Sequence, residues 1–171
     1  MRQKAQVAVL MGSDSDWEVM SRAVRRLDEL EIASDVQVMS AHRTPERVAK
    51  YASSARGRGV SVMIVGAGAA AHLAGVVAAH TTLPVIGVPL DATSLHGLDA
   101  LLATVQMPVG VPVATVAIGA SGAENAAILA AQILALQDKS LAARLQRFKD
   151  EMGNKVEENN RRLRDKIARR E

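Results

Sequence analysis

Short apolar runs alternate along the chain with stretches of helical period. "QVAVLM" (6–11) is uninterruptedly apolar after its first residue and predicts a buried strand. From Asp16 to Leu30 the period changes to that of a helix, with Trp17, Met20, Val24, Leu27 and Leu30 on or near one face. Asp35–Met39 predicts a second strand. Pro45 suits the first turn of a helix, with Thr44 before it as N-cap, and this helix runs to about Arg58 and stops near Gly59. Ser61–Val65, Pro84–Val88 and Pro112–Ala117 predict three more strands. Between and after them come alanine-rich residues up to His80, Leu98–Thr104 and Gly122–Leu136, all read as helices. Ser140–Arg170 is largely helical, with Gly153 and Asn154 as an expected break.

Strands alternating with helices imply βαβ units and a parallel sheet, and strands this apolar fit a sheet covered on both faces. The expected fold class is α/β, a doubly wound five-stranded parallel sheet in the flavodoxin-like order 2-1-3-4-5. A single α/β domain spans residues 1–137, and a C-terminal helical extension occupies 138–171. No internal repeat or linker divides the core.

Composition narrows the function classes. The 171 residues include one Trp, one Tyr and one Phe, too few for base-stacking nucleic-acid surfaces. There is no cysteine, so disulfides, thiolate metal sites and cysteine nucleophiles are excluded. No stretch reads as a signal peptide or a membrane span, and a soluble, cytoplasmic protein is the default expectation. The net charge of +3 is uneven: residues 138–171 carry 11 Lys and Arg against 7 Asp and Glu, so the basic excess belongs to the extension. A mixed-charge helix of this kind is a solvated or subunit-packing face rather than a nucleic-acid site.

In such a sheet ligands bind beyond the carboxyl ends of the strands, near the switch point. Three loops should meet there: "GSDSD" (12–16), "SAHRTP" (40–45) and "GAGAAAHLAG" (66–75). In the second, Ser40, His42 and Arg43 lie where a strand hands over to a helix, with free backbone N–H groups and a dipole that favours an anion. Arg43 adds a planar fork suited to phosphate. Ser13, Ser15 and Ser40 supply neutral donors, and Asp16 is a good acceptor for sugar hydroxyls. Together the loops describe a pocket for a phosphorylated sugar. Each has a plainer reading: a turn and helix cap for the first, a surface histidine at His42, and a loop without G-x-G-x-x-G spacing for the third. His72 reads as a helix residue or a support to the site rather than a metal ligand, and His80 and His96 as structural or solvated. No spacing makes a convincing metal site, and none is expected.

These motifs, with "LPVIGVPL" (83–90) and "VQMPVGVPVATVAIG" (105–119), follow the order of one family. The chain resembles the N5-carboxyaminoimidazole ribonucleotide mutases, the bacterial-type phosphoribosylaminoimidazole carboxylases of purine biosynthesis, over residues 6–136 or so. Arg43-Thr44 and Ala70-Ala71-His72-Leu73 favour the mutase branch over the animal-type enzymes that carboxylate with CO2 directly. The mutase loop usually reads "GAGGAAHLPG", so Ala69 stands in place of a glycine and Ala74 in place of a proline.

The resemblance implies roles residue by residue. Ser13 and Asp16 contact the substrate, with Asp16 on the ribose. Ser15, Ser40 and Arg43 hold the phosphate. His42 is the general acid/base, and Gly68, Ala70 and Leu73 border the imidazole and carboxylate. It implies no cofactor, a ribonucleotide substrate, and a homo-octamer whose C-terminal helix reaches a neighbour. The alternatives are direct CO2 carboxylation of aminoimidazole ribonucleotide and a non-catalytic module that binds phosphoribosyl ligands. A response-regulator-like domain has the same topology, but no phosphoacceptor aspartate ends the third strand, where Val65-Gly66 sits.

Overall fold

The computed structural model describes residues 4–169. Its elements are β1 (Val7–Met11), α1 (Trp17–Glu29), β2 (Ser34–Val38), α2 (Pro45–Ser54), β3 (Val62–Gly68), α3 (Leu73–Ala79), β4 (Val85–Leu90), α4 (Leu98–Val105), β5 (Ala114–Thr115), α5 (Ala120–Ala135) and α6 (Lys139–Arg169). The five strands form one sheet in the order β2-β1-β3-β4-β5, and every pairing is parallel. The expected fold class is therefore found. The described residues fall into two compact units, one ending at Ile133 and the other beginning at Leu134.

Alternation along β1 and β3 fills two layers. Ala8, Leu10, Met63 and Val65 join a core with Val48 and Ala52 of α2 and Leu73, Ala74 and Val77 of α3. The opposite face receives α1, whose Met20, Ala23 and Leu27 are fully buried. Contact there is close enough that a Cβ on Gly66 would land on Met20 Sδ. Burying β1 and β3 on both faces explains why their sequences lack polar alternation.

Several local expectations need correction. Trp17 is 46% exposed, not part of the core face, because α1 begins there, after a 3-10 turn at Asp14–Asp16. Thr44 does not cap α2 with its side chain. Its hydroxyl turns back instead, accepting from Ser40 N (3.0 Å) and donating to Ser40 O (3.0 Å). β5 is two residues, not six, whereas β3 runs three residues past its expected end, to Gly68. α2 ends at Ser54 and a 3-10 turn carries the chain to Gly59, which has φ +101°.

In the second unit α6 runs 31 residues without a break at Gly153-Asn154. A glycine in an exposed helix interior costs only about 1 kcal/mol, which the neighbouring turns absorb. Asp138 starts the helix: its Oδ1 accepts from Ser140 N (2.9 Å) and Leu141 N (3.0 Å). Those bonds hold its carboxyl below the usual carboxylate range. Of the expected apolar stripe Leu141, Leu145, Phe148 and Met152, Leu141 is buried and Met152 is 47% exposed. Arg170, the expected helix end, lies outside the described residues.

Candidate active site

Strand order decides what meets at the rim. β1, β2 and β3 are neighbours in parallel register, so the loops that leave their carboxyl ends converge. They enclose a cavity of about 250 Å³. Ser13, Ser15 and Asp16 line it from the first loop, Ser40, His42 and Arg43 from the second, and Gly68, Ala70 and Leu73 from the third. All nine residues singled out in the sequence thus border one space.

The first loop is organised around Ser13. Its backbone N–H donates to Asp16 Oδ2 (3.0 Å), and its hydroxyl accepts from the Ser15 hydroxyl (2.9 Å). Burial pushes the Asp16 carboxyl above its ordinary value, against the lowering effect of N–H donors from Ser13 and Gly12. The Ser13 bond takes one lone pair of Oδ2, and the carboxylate has further lone pairs to offer a ligand hydroxyl.

The second loop differs from its sequence reading in one respect. Three of the backbone N–H groups expected to be free for an anion, those of His42, Arg43 and Thr44, are taken. Ser40 Oγ accepts from His42 N (3.3 Å) and Arg43 N (3.2 Å), and Ser40 O accepts from Thr44 N (2.9 Å). Side chains of the loop offer further donors. The Ser40 hydroxyl still has its proton to donate. Arg43 is exposed and makes one long bond, Nη2 to Gly12 O at 3.4 Å, which bridges the first and second loops.

The third loop brings a partner for His42. His42 Nε2 and His72 Nδ1 are 2.8 Å apart, with the rings nearly perpendicular at 85°. One proton lies between these two nitrogens, so one of them is unprotonated. The contact occupies Nε2 of His42 and leaves Nδ1 for a ligand. When Nε2 donates, a neutral His42 presents a bare Nδ1, a base. When Nε2 accepts, it presents Nδ1–H, an acid. The pair thus couples the acid or base character of His42 to the proton held toward His72.

His72 reaches this position through a strained turn. Ala69 has φ +51°, in the left-handed region that favours glycine, and two tight bonds follow, Ala71 N to Ala69 O and His72 N to Ala70 O, both 2.8 Å. Among the described residues no group of three or more His, Asp or Glu is placed to hold a metal ion, and no helix is long and apolar enough to cross a membrane.

The AIR carboxylase family model matches residues 6–155. The chain belongs to that family. It is similar to the N5-carboxyaminoimidazole ribonucleotide mutase of Bacillus subtilis, 57% identical over 139 residues, covering 81% of this chain and 86% of that protein. The mutase of Saccharolobus solfataricus is 55% identical over 150 residues, covering 88% of this chain and 94% of that one. The mutase of Haemophilus influenzae is 51% identical over 159 residues, covering 93% and 97%. Among solved structures, the crystal structure of Treponema denticola PurE superposes with a TM-score of 0.83 at 29% identity, covering 92% of this chain and 97% of that chain.

One lining residue escaped the sequence reading. Ala92, in the loop after β4, also borders the cavity. The signal was the strand order itself: β4 lies beside β3, so its carboxyl-terminal loop opens on the same rim. The remaining wall is Gly12, Ala41, Ala67 and Ala69, residues too small to announce themselves.

Proposed function

We propose that this chain is an isomerase of purine biosynthesis that moves the carboxylate of N5-carboxyaminoimidazole ribonucleotide from N5 to C4, giving 4-carboxy-5-aminoimidazole ribonucleotide. The observation that carries the reading is the convergence of Asp16, Ser40, Arg43 and the His42–His72 pair on one small-walled cavity, in a chain half identical to proteins of that name. Asp16 and Ser13 take the ribose. Ser15, Ser40 and Arg43 take the phosphate. The imidazole and its carboxylate lie against Gly68, Ala70 and Leu73.

His42 then handles one proton twice. It gives a proton to the carbamate nitrogen N5, the N5–C bond breaks, and CO2 leaves with the amine restored. The electron-rich C4 attacks the CO2 carbon and forms the new C–C bond. His42 removes the C4 proton, which restores the aromatic ring and its own starting state. No oxidant, ATP or metal is needed to balance these steps. Holding CO2 against C4 replaces a bimolecular capture by an intramolecular one, a gain of several kcal/mol.

The working unit in this reading is a cytoplasmic homo-octamer, with the C-terminal helical extension packed on a neighbouring subunit. Exposed apolar side chains support burial by another copy: Leu95, Leu98 and Leu102 in and before α4 are 50–59% exposed, and Val156 and Ile167 of α6 are 63% and 66% exposed. The deciding experiment is turnover of N5-carboxyaminoimidazole ribonucleotide without ATP, followed by absorbance. Conversion of aminoimidazole ribonucleotide with bicarbonate, and none of the carbamate, replaces this reading by direct carboxylation. Binding without turnover of either replaces it by a binding module.

A further inference from the structure

The loop between β4 and α4 is more firmly built than a connection requires. Two consecutive residues, His96 (φ +50°) and Gly97 (φ +81°), are left-handed, and a Cβ on Gly97 would come within 2.6 Å of Ile118 Cγ2. Inside the loop, Thr93 Oγ1 accepts from Leu95 N (3.1 Å) and donates to Asp99 Oδ2 (2.8 Å). Asp99 stands in the first turn of α4, and its other oxygen, Oδ1, is buried without a hydrogen-bond partner. A buried acceptor left unpaired is costly, and the bond from Thr93 to the other oxygen fixes this carboxylate in place. At the start of the same loop Ala92 rests on the third loop. A Cβ built on Gly68 would fall 2.5 Å from Ala92 Cβ and 3.3 Å from Leu90 O. Gly68 and Ala92 both line the cavity.

We propose that Thr93 and Asp99 are positioning residues that hold Ala92 on Gly68 and so seal the side of the pocket where detached CO2 waits. The proposal rests on the mutase reading above. Neither residue is among those lining the cavity; each acts through the loop that carries Ala92. CO2 is small and has no charge for the protein to grip. Its retention therefore depends on a wall without gaps of its own size, and misplacement by about 1 Å is enough to cost catalysis severely. The loop makes that wall from backbone and one methyl group, which explains why a hydroxyl–carboxylate bond is spent on so short a connection.

The test follows the carboxylate itself. Substrate labelled with 13C in its carboxylate is turned over in unlabelled bicarbonate, and the label kept in the product is measured together with kcat, KM and the melting temperature. The wild-type protein is expected to keep its label. Thr93→Val removes the hydroxyl at nearly constant shape. It should lose label to solvent and lower kcat about tenfold or more, with KM little changed, because the nucleotide contacts lie elsewhere. Thr93→Ser restores the hydroxyl and should restore retention, which a loss of bulk packing would not. Ala92→Gly removes the methyl while leaving the Thr93–Asp99 bond, and should leak label even where Thr93→Val folds poorly. Full retention in Ala92→Gly, or in folded Thr93→Val, overturns the proposal alone. A wild-type protein that exchanges its carboxylate freely, or does not turn over, overturns the mutase reading and the proposal together.

Discussion

Ala69→Gly should make the protein more stable. Ala69 holds φ +51°, where its Cβ crowds the backbone at a cost of about 1–2 kcal/mol. Glycine has no such penalty, but it loses more chain entropy on folding, about 0.5–1 kcal/mol relative to alanine. The difference favours glycine by about 0.5–1 kcal/mol. For a chain of this size that is a rise of about 1–4 °C in melting temperature. Thermal unfolding of both proteins at one protein concentration measures it. Ala69 is partly buried and lines the cavity, so the packing lost with its methyl is that of one cavity-facing group. Turnover should stay within about threefold, since glycine takes the same φ and the bonds from Ala71 N and His72 N remain available. A fall in melting temperature would refute the strain argument and mean that the Ala69 methyl supports the loop. Greater stability with turnover lost would show that the strain itself holds His72 against His42.

The remaining predictions concern the site and the assembly. His42→Asn should keep nucleotide affinity within about tenfold and lose about 10²–10⁴ in turnover; near-normal turnover removes His42 from the chemistry. Arg43→Lys loses the planar fork, so it should weaken the nucleotide more than its dephosphorylated nucleoside, and equal weakening of both means that Arg43 does not hold the phosphate. Because burial raises the Asp16 carboxyl, its contribution to stability is complete below the unfolded value near ~3.9 and is lost as pH rises through the folded value. Asp16→Asn should therefore gain on the wild type as pH climbs from ~4 toward neutrality, and a stability difference independent of pH refutes the assignment. Light scattering should give about 145 kDa, eight chains of 18.1 kDa, and a smaller particle for a chain ending at Asp138; a monomeric intact chain refutes the octamer, and an unchanged particle after truncation removes α6 from its cause.

The sheet was legible because β1, β3 and β4 are largely buried on both faces and so read as short continuous apolar runs such as "VAVLM". The edges were harder to read. β5 pairs over two residues only, so most of Pro112–Ala117 is extended chain with strand-like residues and no strand neighbour beyond it. Trp17 misled for a related reason. Helical period tells which residues share a face but not where the first buried turn starts, and the 3-10 turn at Asp14–Asp16 shifts that start past Trp17.

The site was legible for a different reason, and that reason also sets its limit. Residues with charge or hydroxyl groups at the ends of apolar strands must lie on the rim, so "GSDSD" and "SAHRTP" could be assigned to one cavity from topology alone. Which donor faces inward is set by torsion angles, which topology does not fix. Ser40 reads in the sequence as one more phosphate donor, yet its oxygen also gathers the N–H groups of His42 and Arg43. His42 and His72 stand 30 positions apart, and no spacing rule joins them. They meet because β1 pairs with both β2 and β3, and because Ala69 accepts a left-handed turn that aims the third loop at the second. An alanine in that role carries no sequence signal of its own, only the absence of the glycine that usually stands there. The partner of His42 Nε2 is therefore a residue that the chain's pattern marks only as a helix residue or a support to the site.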